Sequence, residues 1–326
     1  MVRKARGKEV HERTLRADPG ALKPYTERMT DRLEALLSSA PRYPQRIVCM
    51  TEETTETLYR IGAGDLVVGV SGFTVRPREA RKKPRVSSFL DANFERILEL
   101  KPDLVLGFSD LQADLGRELC KRGVPVVLFN QRSIAEILQT VRVVGALVGR
   151  AEAAEKLADE LEANLARHAE AAERLPRRPR IFFEEWHEPL ISGIRWCSEL
   201  VELVGGEDVC RESRQQQGAK GRIFDPAEVA RRNPEGVIAS WCGRKAKREK
   251  IVARLGWERV AAVVDDQLYE VKSSLILQPG PAALTDGVDQ LAHIVGAIAR
   301  GEKLPAPRPG DLRAAPLPGV RAHGED

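Results

Sequence analysis

The chain has 326 residues, 42% of them apolar and 31% charged, and its 52 basic and 48 acidic side chains leave a net charge of only +4. This is enough apolar material for two cores, and the charge balance excludes a dedicated nucleic-acid binder, which carries a marked basic excess. Cys49, Cys120, Cys197, Cys210 and Cys242 stand far apart with no C-x-x-C pair; that excludes a zinc ribbon and a disulfide scaffold and suits free thiols in a reducing compartment.

Residues 1–40 read as a polar arm leading into one helix, with Tyr25, Met29, Leu33, Leu36 and Leu37 at helical spacing. The arm is charged throughout and lacks the apolar run of about 7–15 residues that a secretory signal needs. No stretch approaches the roughly 20 apolar residues of a membrane span. The expected location is therefore cytoplasmic.

From Arg46 the pattern alternates. "RIVCM" is a short apolar strand, "ETTETLYRIGA" a helix ending at Gly62, and "DLVVGV" a second strand. "ANFERILELK" is a helix stopped by Pro102, "DLVLGF" a third strand, "DLQADLGRELCKRG" a helix and "VPVVLF" a fourth strand. Strands that are apolar on both faces and alternate with helices predict a mostly parallel sheet covered on both sides. Ser133 and Glu136 then form a capping box. Three-to-four spacing of apolar residues runs from Ile134 to Leu165, interrupted only by Gly145 and Gly149. About 40 helical residues would make a rod of roughly 60 Å, a strut between two lobes. After "PRRPR" the alternation resumes, with strands at "RIFFEEW", "GVIASW" and "QLYEV" and a closing helix ending at Gly301. The proline-rich tail beyond it is expected to be disordered. The fold class is α/β: two Rossmann-like lobes with parallel sheets, 41–132 and 177–301, joined by one long interdomain helix, 133–176, with the tail at 302–326.

This design, and the residues that carry it, resemble the substrate-binding proteins of ABC importers for cobalamin, haem and ferric siderophores. "RIVCMTEETTETLYRIGAGDLVVGVSGF" is similar to the family's opening strand, Thr-Glu helix, Gly-Ala-Gly turn and second strand. "NFERILELKPDLVLGF", "PLISGIRWCSELVELVGGEDVC" and "NPEGVIASW" extend the likeness over roughly residues 46–300, with "VGVSGF" and "VSSFLDANFERI" pointing to the cobalamin-binding branch. The resemblance implies a corrinoid or related metal chelate held between the lobes, a monomer, and a permease partner. It implies ligand binding rather than catalysis, with no resident cofactor and no structural metal. An intracellular interaction or regulatory protein that kept the fold and lost its ligand, or a binder of haem, siderophore or metal, are the alternatives.

In an open parallel sheet, ligands bind beyond the carboxyl ends of the strands. Phe73 and Phe108 end predicted strands there, and Phe89 stands in a polar loop between them, so all three are expected at one mouth; Phe73 and Phe108 could equally finish the core. Trp186, His187 and Trp241 follow strand ends of the second lobe and are expected to face them, while Trp196 either lines the cleft or packs inward from a helix. Glu184, Glu185, His187 and Glu188 resemble a ligand set on paper, but strand alternation puts no more than three on one side, which leaves a metal site incomplete. His187 is either an axial or edge contact to a metal macrocycle or a solvated rim residue. The basic run at Arg76–Arg85 could border the mouth and meet acidic groups of a ligand. No nucleophile, phosphate-loop or zincin motif is present, so no catalytic residue is assigned. The family's acidic docking pair falls on Glu95 and, one step beyond the matching Ala227, on Glu228.

Overall fold

The computed structural model describes residues 25–38 and 41–315; the rest of the arm and the last residues of the tail lie outside the described residues. Met1–Arg42 and Tyr43–Asp326 are separate compact units. The first contains helix α1, Tyr25–Leu37, whose Met29, Leu33, Leu36 and Leu37 are exposed.

The second unit opens with β1, Ile47–Cys49, followed by α2, Glu52–Arg60, β2, Val67–Ser71, and β3, Arg85–Ser87. Then come α3, Phe94–Glu99, β4, Leu104–Phe108, α4, Ala113–Lys121, and β5, Val126–Phe129. These five strands make one parallel sheet in the order β3-β2-β1-β4-β5. Every residue of β1 is buried, as a strand covered on both faces requires, and Ile47 pairs with Val67 on one side and Leu104 on the other. The chain fills one side of β1 before crossing to the other, so this strand marks the topological switch point. The short β3 was missed in the sequence because arginine, proline and serine dilute its apolar signal.

The expected 60 Å rod is corrected. Helix α5, Ile134–Leu147, and α6, Ala151–Ala172, fold back on one another as a hairpin. The turn at 148–150 uses Gly149 at φ +68°, a left-handed conformation that glycine adopts without a Cβ penalty. Gly145 lets the helices meet, since a Cβ there would collide with that of Ala154. Arg142 ties the arms together through Glu155 at 3.0 Å and Glu162 at 2.9 Å. The capping box stands as expected, with Glu136 N–H donating to Ser133 Oγ and Ser133 N–H to Glu136 Oε2. The long helix joining the lobes is thus α6 alone.

The second lobe contains β6, Arg180–His187, β7, Leu190–Ser192, α7, Arg195–Leu203, and β8, Glu207–Asp208. It continues with α8, Pro226–Arg232, β9, Gly236–Ala239, α9, Arg248–Val252, and α10, Ala261–Val264. It closes with β10, Leu268–Glu270, α11, Ser273–Ile276, and α12, Val288–Arg300, entered through a π-turn at Ala283–Gly287. Its sheet runs β10-β9-β6-β7 with β8 also on β6. It is not wholly parallel, because β7 doubles back antiparallel to β6. The tail departs from expectation as well: up to residue 315 it is packed rather than disordered. Arg313 exchanges backbone hydrogen bonds with Leu268 and Glu270, while Leu312 and Ala315 are buried.

One apolar core spans both lobes, running from Ile47, Leu106 and Phe108 through Ile137 and Leu161 to Trp196, Leu200 and Leu291. Smaller cores back each lobe, around Val48 and Ile97 in the first and around Phe182, Trp241 and Trp257 in the second. The cysteines are free; Cys49, Cys197 and Cys210 are buried, and Cys120 and Cys242 are exposed. Among the described residues no helix is long and apolar enough to cross a membrane.

Candidate ligand cleft

The carboxyl ends of β1, β2, β4 and β5 bring Thr51, Phe73, Phe108 and the 130–132 segment to one edge of the first sheet. Phe108 is 6% exposed. Its ring meets Phe89 at 6.4 Å and the edge of Trp196 at 6.5 Å, which makes an aromatic chain from the first lobe to the second. The Arg132 guanidinium lies 4.8 Å from the centre of the Phe108 ring. Trp196 packs inward from the first turn of α7 and donates its indole N–H to the Ile276 carbonyl at 2.8 Å. Phe89 is half-buried, and the Gln112 side chain donates to its carbonyl at 3.0 Å. Phe73 is half-exposed and lies over the second lobe, with Cε1 3.9 Å from where a Cβ on Gly243 would sit.

Across the seam, His187 stacks on Trp241 at 4.2 Å and 22°, with Trp186 5.2 Å from the imidazole. Trp241 is buried, and its indole N–H donates to Glu184 Oε1 at 3.0 Å. Glu184 has no exposure, and the Arg254 guanidinium holds it in a fork at 2.7 and 2.8 Å. The Arg254 fork fixes Glu184, Glu184 fixes Trp241, and Trp241 carries His187. His187 Nδ1 is buried without a partner, and burial lowers the imidazole's pKa, which keeps the ring neutral at neutral pH. The structure therefore brings Trp186, His187 and Trp241 together, and Phe89 with Phe108. Phe108 and Trp241 are covered by their neighbours.

Strand alternation in "EEWHEP" divides the carboxylates: Glu184 joins Trp241, whereas Glu185 turns the other way. Glu185 accepts from Arg222 at 2.6 and 3.1 Å and from the Ile194 N–H at 3.1 Å. Arg222 is 2% exposed and also donates to the Ser192 carbonyl. Arg132, Arg222 and Arg254 were not singled out in the sequence, because their partners lie far away along the chain and no local pattern marks them. No group of three or more His, Cys, Asp or Glu able to hold a metal ion occurs among the described residues.

The first turn of α2 closes the seam. Glu52 accepts from the Ser71 hydroxyl at 2.8 Å, and Gly280 presses on Glu53 so closely that a Cβ there would be 2.5 Å from that of Glu53. Gln131 donates to the Pro279 carbonyl at 3.0 Å, and Arg76 spans the lobes to Asp286 at 2.5 Å. Burial pushes the Glu53 carboxyl up to about 8; the Thr51 hydroxyl offsets part of this and the charge of Glu52 adds to it. Burial raises Glu52 too. A cavity of about 510 Å³ lies beside this clasp on the first lobe, lined by Glu56, Tyr59, Arg60, Arg76, Pro77, Arg78 and Glu79. The basic run at Arg76 thus borders a side groove as well as the seam.

Outside the cleft, Glu95 is exposed at the start of α3, with Arg122 3.7 Å away. Glu228 in the first turn of α8 is engaged by Arg231 and by Arg232, the latter at 3.0 Å.

Comparison with known proteins matches this architecture. A substrate-binding lipoprotein of an ABC transporter from Bacillus subtilis is 27% identical over 261 residues, 77% of this chain and 80% of that one. A vitamin B12-binding protein of Pectobacterium atrosepticum is 28% identical over 212 residues, 62% of this chain and 74% of that one. The periplasmic vitamin B12-binding protein of Vibrio cholerae superposes with a TM-score of 0.62 at 22% identity, covering 79% of this chain and 98% of that structure. A periplasmic haem-binding protein of Pseudomonas aeruginosa gives 0.68 at 18% identity, covering 84% and 96%. The expected cytoplasmic location is overturned by these relatives, a lipoprotein and periplasmic proteins, which point outside the cytoplasm. The periplasmic binding protein family matches residues 47–275, and the chain belongs to that family.

Proposed function

We propose that this protein captures a corrinoid, or a closely related metal-chelate macrocycle, between its lobes and hands it to the permease of an ABC importer. The observation that carries the reading is the aromatic contact between the lobes at the carboxyl ends of the strands, Phe108 with Phe89 beside it against the edge of Trp196. Phe73 lies over Gly243 of the second lobe, near the cluster of Trp186, His187 and Trp241 that we assign to the other wall of the cleft. Rings on both sides grip a flat macrocycle by dispersion and apolar burial, worth about 25 cal/mol per Å² removed from water. The names of the vitamin B12-binding relatives support the same ligand class. His187, neutral and resting on Trp241, offers an edge or axial nitrogen to the metal centre. Because Phe108 and Trp196 touch across the seam, the lobes part to admit the ligand. For docking, Glu95 presents an exposed carboxylate to a permease arginine, whereas Glu228 is already engaged by two arginines of its own helix. Titration with cyanocobalamin, followed by tryptophan quenching, tests the reading. Saturable binding at micromolar concentration or tighter is expected, weakened about tenfold in Phe89→Ala by the loss of one ring face. No saturable quenching by any corrinoid or haem would sink it.

A further inference from the structure

Two basic runs stand far apart in the chain, residues 76–85 between β2 and β3 and residues 244–250 leading from β9 into α9. The fold brings them to one side of the cleft mouth. Phe73, just ahead of the first run, comes within 3.9 Å of the Cβ position of Gly243, just ahead of the second. Arg244 then lies 5.6 Å over the ring of Trp186, which keeps the second run at the rim. Few of these charges are neutralised. Arg76 is held by Glu56 and Asp286, Lys245 by Asp311 and Arg248 by Asp266. Among the described residues, Arg78, Arg81, Lys82, Lys83 and Arg85 of the first run have no ion pair, nor do Lys247 and Lys250 of the second. The acids within the runs are Glu79 and Glu249 alone. Charges of one sign crowded on one side of a molecule repel one another, and an opposite surface relieves that. Large apolar side chains stand bare on the same segments. Phe73 and Val75 are 52% and 40% exposed at the start of the first, and Leu255, 95% exposed, follows α9. The other side of the mouth has a different character, since its exposed Leu90 and Leu111 are flanked by the exposed Asp91 and Asp110.

We infer that this side of the mouth rests on an anionic lipid surface, with Phe73, Val75 and Leu255 entering the headgroup layer and the two basic runs meeting lipid phosphates. A headgroup layer offers both spread negative charge and apolar depth. A small free anion suits the rim less well, because the groove bordered by Arg76 and Arg78 also presents Glu56 and Glu79. An acidic protein surface would answer the cations, but apolar residues on separate segments share no pocket for it to fill; a lipid layer takes them one by one. The inference does not depend on which ligand the cleft holds.

Flotation of the full chain with vesicles tests this, one set of phosphatidylcholine alone and one of equal parts phosphatidylcholine and phosphatidylglycerol. Binding to the anionic set alone is expected. It should fall as salt rises from about 0.1 to 1 M, where the screening length drops from about 10 to 3 Å. Lys82→Gln with Lys83→Gln is expected to weaken it about tenfold or more, since each cation at a charged lipid surface is worth about fivefold. Leu255→Ser is expected to weaken it severalfold by removing apolar insertion. Lys121→Gln with Lys156→Gln, the same loss of charge on α4 and α6, should keep wild-type binding. An equal fall there would mean general charge attraction and overturn the inference. No binding by the wild type, equal binding to both sets, or binding undiminished in the Lys82/Lys83 or Leu255 variant also overturns it. An acidic protein partner would show as binding to permease-bearing phosphatidylcholine vesicles with none to anionic lipid alone, a result that counts against the lipid contact. Because flotation uses no corrinoid, a failed cyanocobalamin titration and a failed lipid contact are told apart.

Discussion

Glu184 and Glu53 are both buried carboxylates, and the protein handles them in opposite ways. Glu184 is given a guanidinium fork and an indole N–H, so its charge is paired and its geometry fixed. Glu53 is given only the Thr51 hydroxyl, at 2.5 Å, and one of its oxygens has no partner. Burial then raises its pKa to about 8, so at neutral pH the folded protein keeps it protonated. A carboxyl raised on folding contributes stability that is fully present below its unfolded value of 4.5 and lost as pH rises through about 8. Glu53→Gln should therefore leave the melting temperature unchanged near pH 4 and raise it by several degrees above pH 8. Thermal melts across that range check this, and a parallel pH dependence in both proteins would refute it. This carboxyl was not legible in the sequence: "EETTETLYR" reads as a polar helix face, yet Glu53 through Leu58 are all buried under the second lobe and the sheet. Its hydroxyls return to the backbone, Thr57 to the Glu53 carbonyl at 2.7 Å and Thr55 to Thr51 at 3.1 Å, which makes such burial tolerable.

At the scale of elements, the α5/α6 hairpin shows why periodicity misled. A helical repeat of apolar residues is the same whether the helix continues or doubles back, and glycine within it is tolerated at modest cost. Gly149 was visible, but only the positive φ shows that it turns the chain. Gly145 was visible too, and its role depends on Ala154 lying directly opposite. Gly145→Val should force the two helices apart and cost about 1–3 kcal/mol, the usual range for overpacking a close contact. Chemical denaturation measures it; a variant as stable as the wild type would mean that the helices slide freely. Where signals were local, the reading held: Ser133 and Glu136 form the capping box. The strands with continuous apolar runs, β1, β2, β4, β5 and β9, were also legible, whereas β3 and β7, three residues each, were not.

For the whole molecule, the shared core and the polar clasp act on different scales of energy. The core that runs from Leu106 through α6 to Leu291 makes the two lobes one cooperative unit. The clasp is lighter. Arg76 and Asp286 are each about one-third exposed, and a pair in that setting is worth roughly 1 kcal/mol or less. Asp286→Asn should therefore barely change global stability while raising amide exchange in the first turn of α2 and around Gly280. Hydrogen exchange on the intact protein reads both, and unchanged exchange at that seam would show that the pair does not hold the lobes together. The stretch of the seam that lies beside this core and is held by a polar pair of that size opens locally without unfolding.

By itself, the sequence determined the α/β class, the two sheets, the strand ends that carry Phe73, Phe108, Trp186 and Trp241, the loop that carries Phe89, and the resemblance to importer binding proteins. Those depend on local composition, period and capping, which act over a few neighbouring residues. Only the tertiary structure decided that Phe108 meets Trp196, that Trp241 is held by Glu184, and that Glu184 is locked by Arg254. Each of those facts joins residues tens of positions apart, and burial and unpaired donors are properties of the packed chain, which no local pattern encodes.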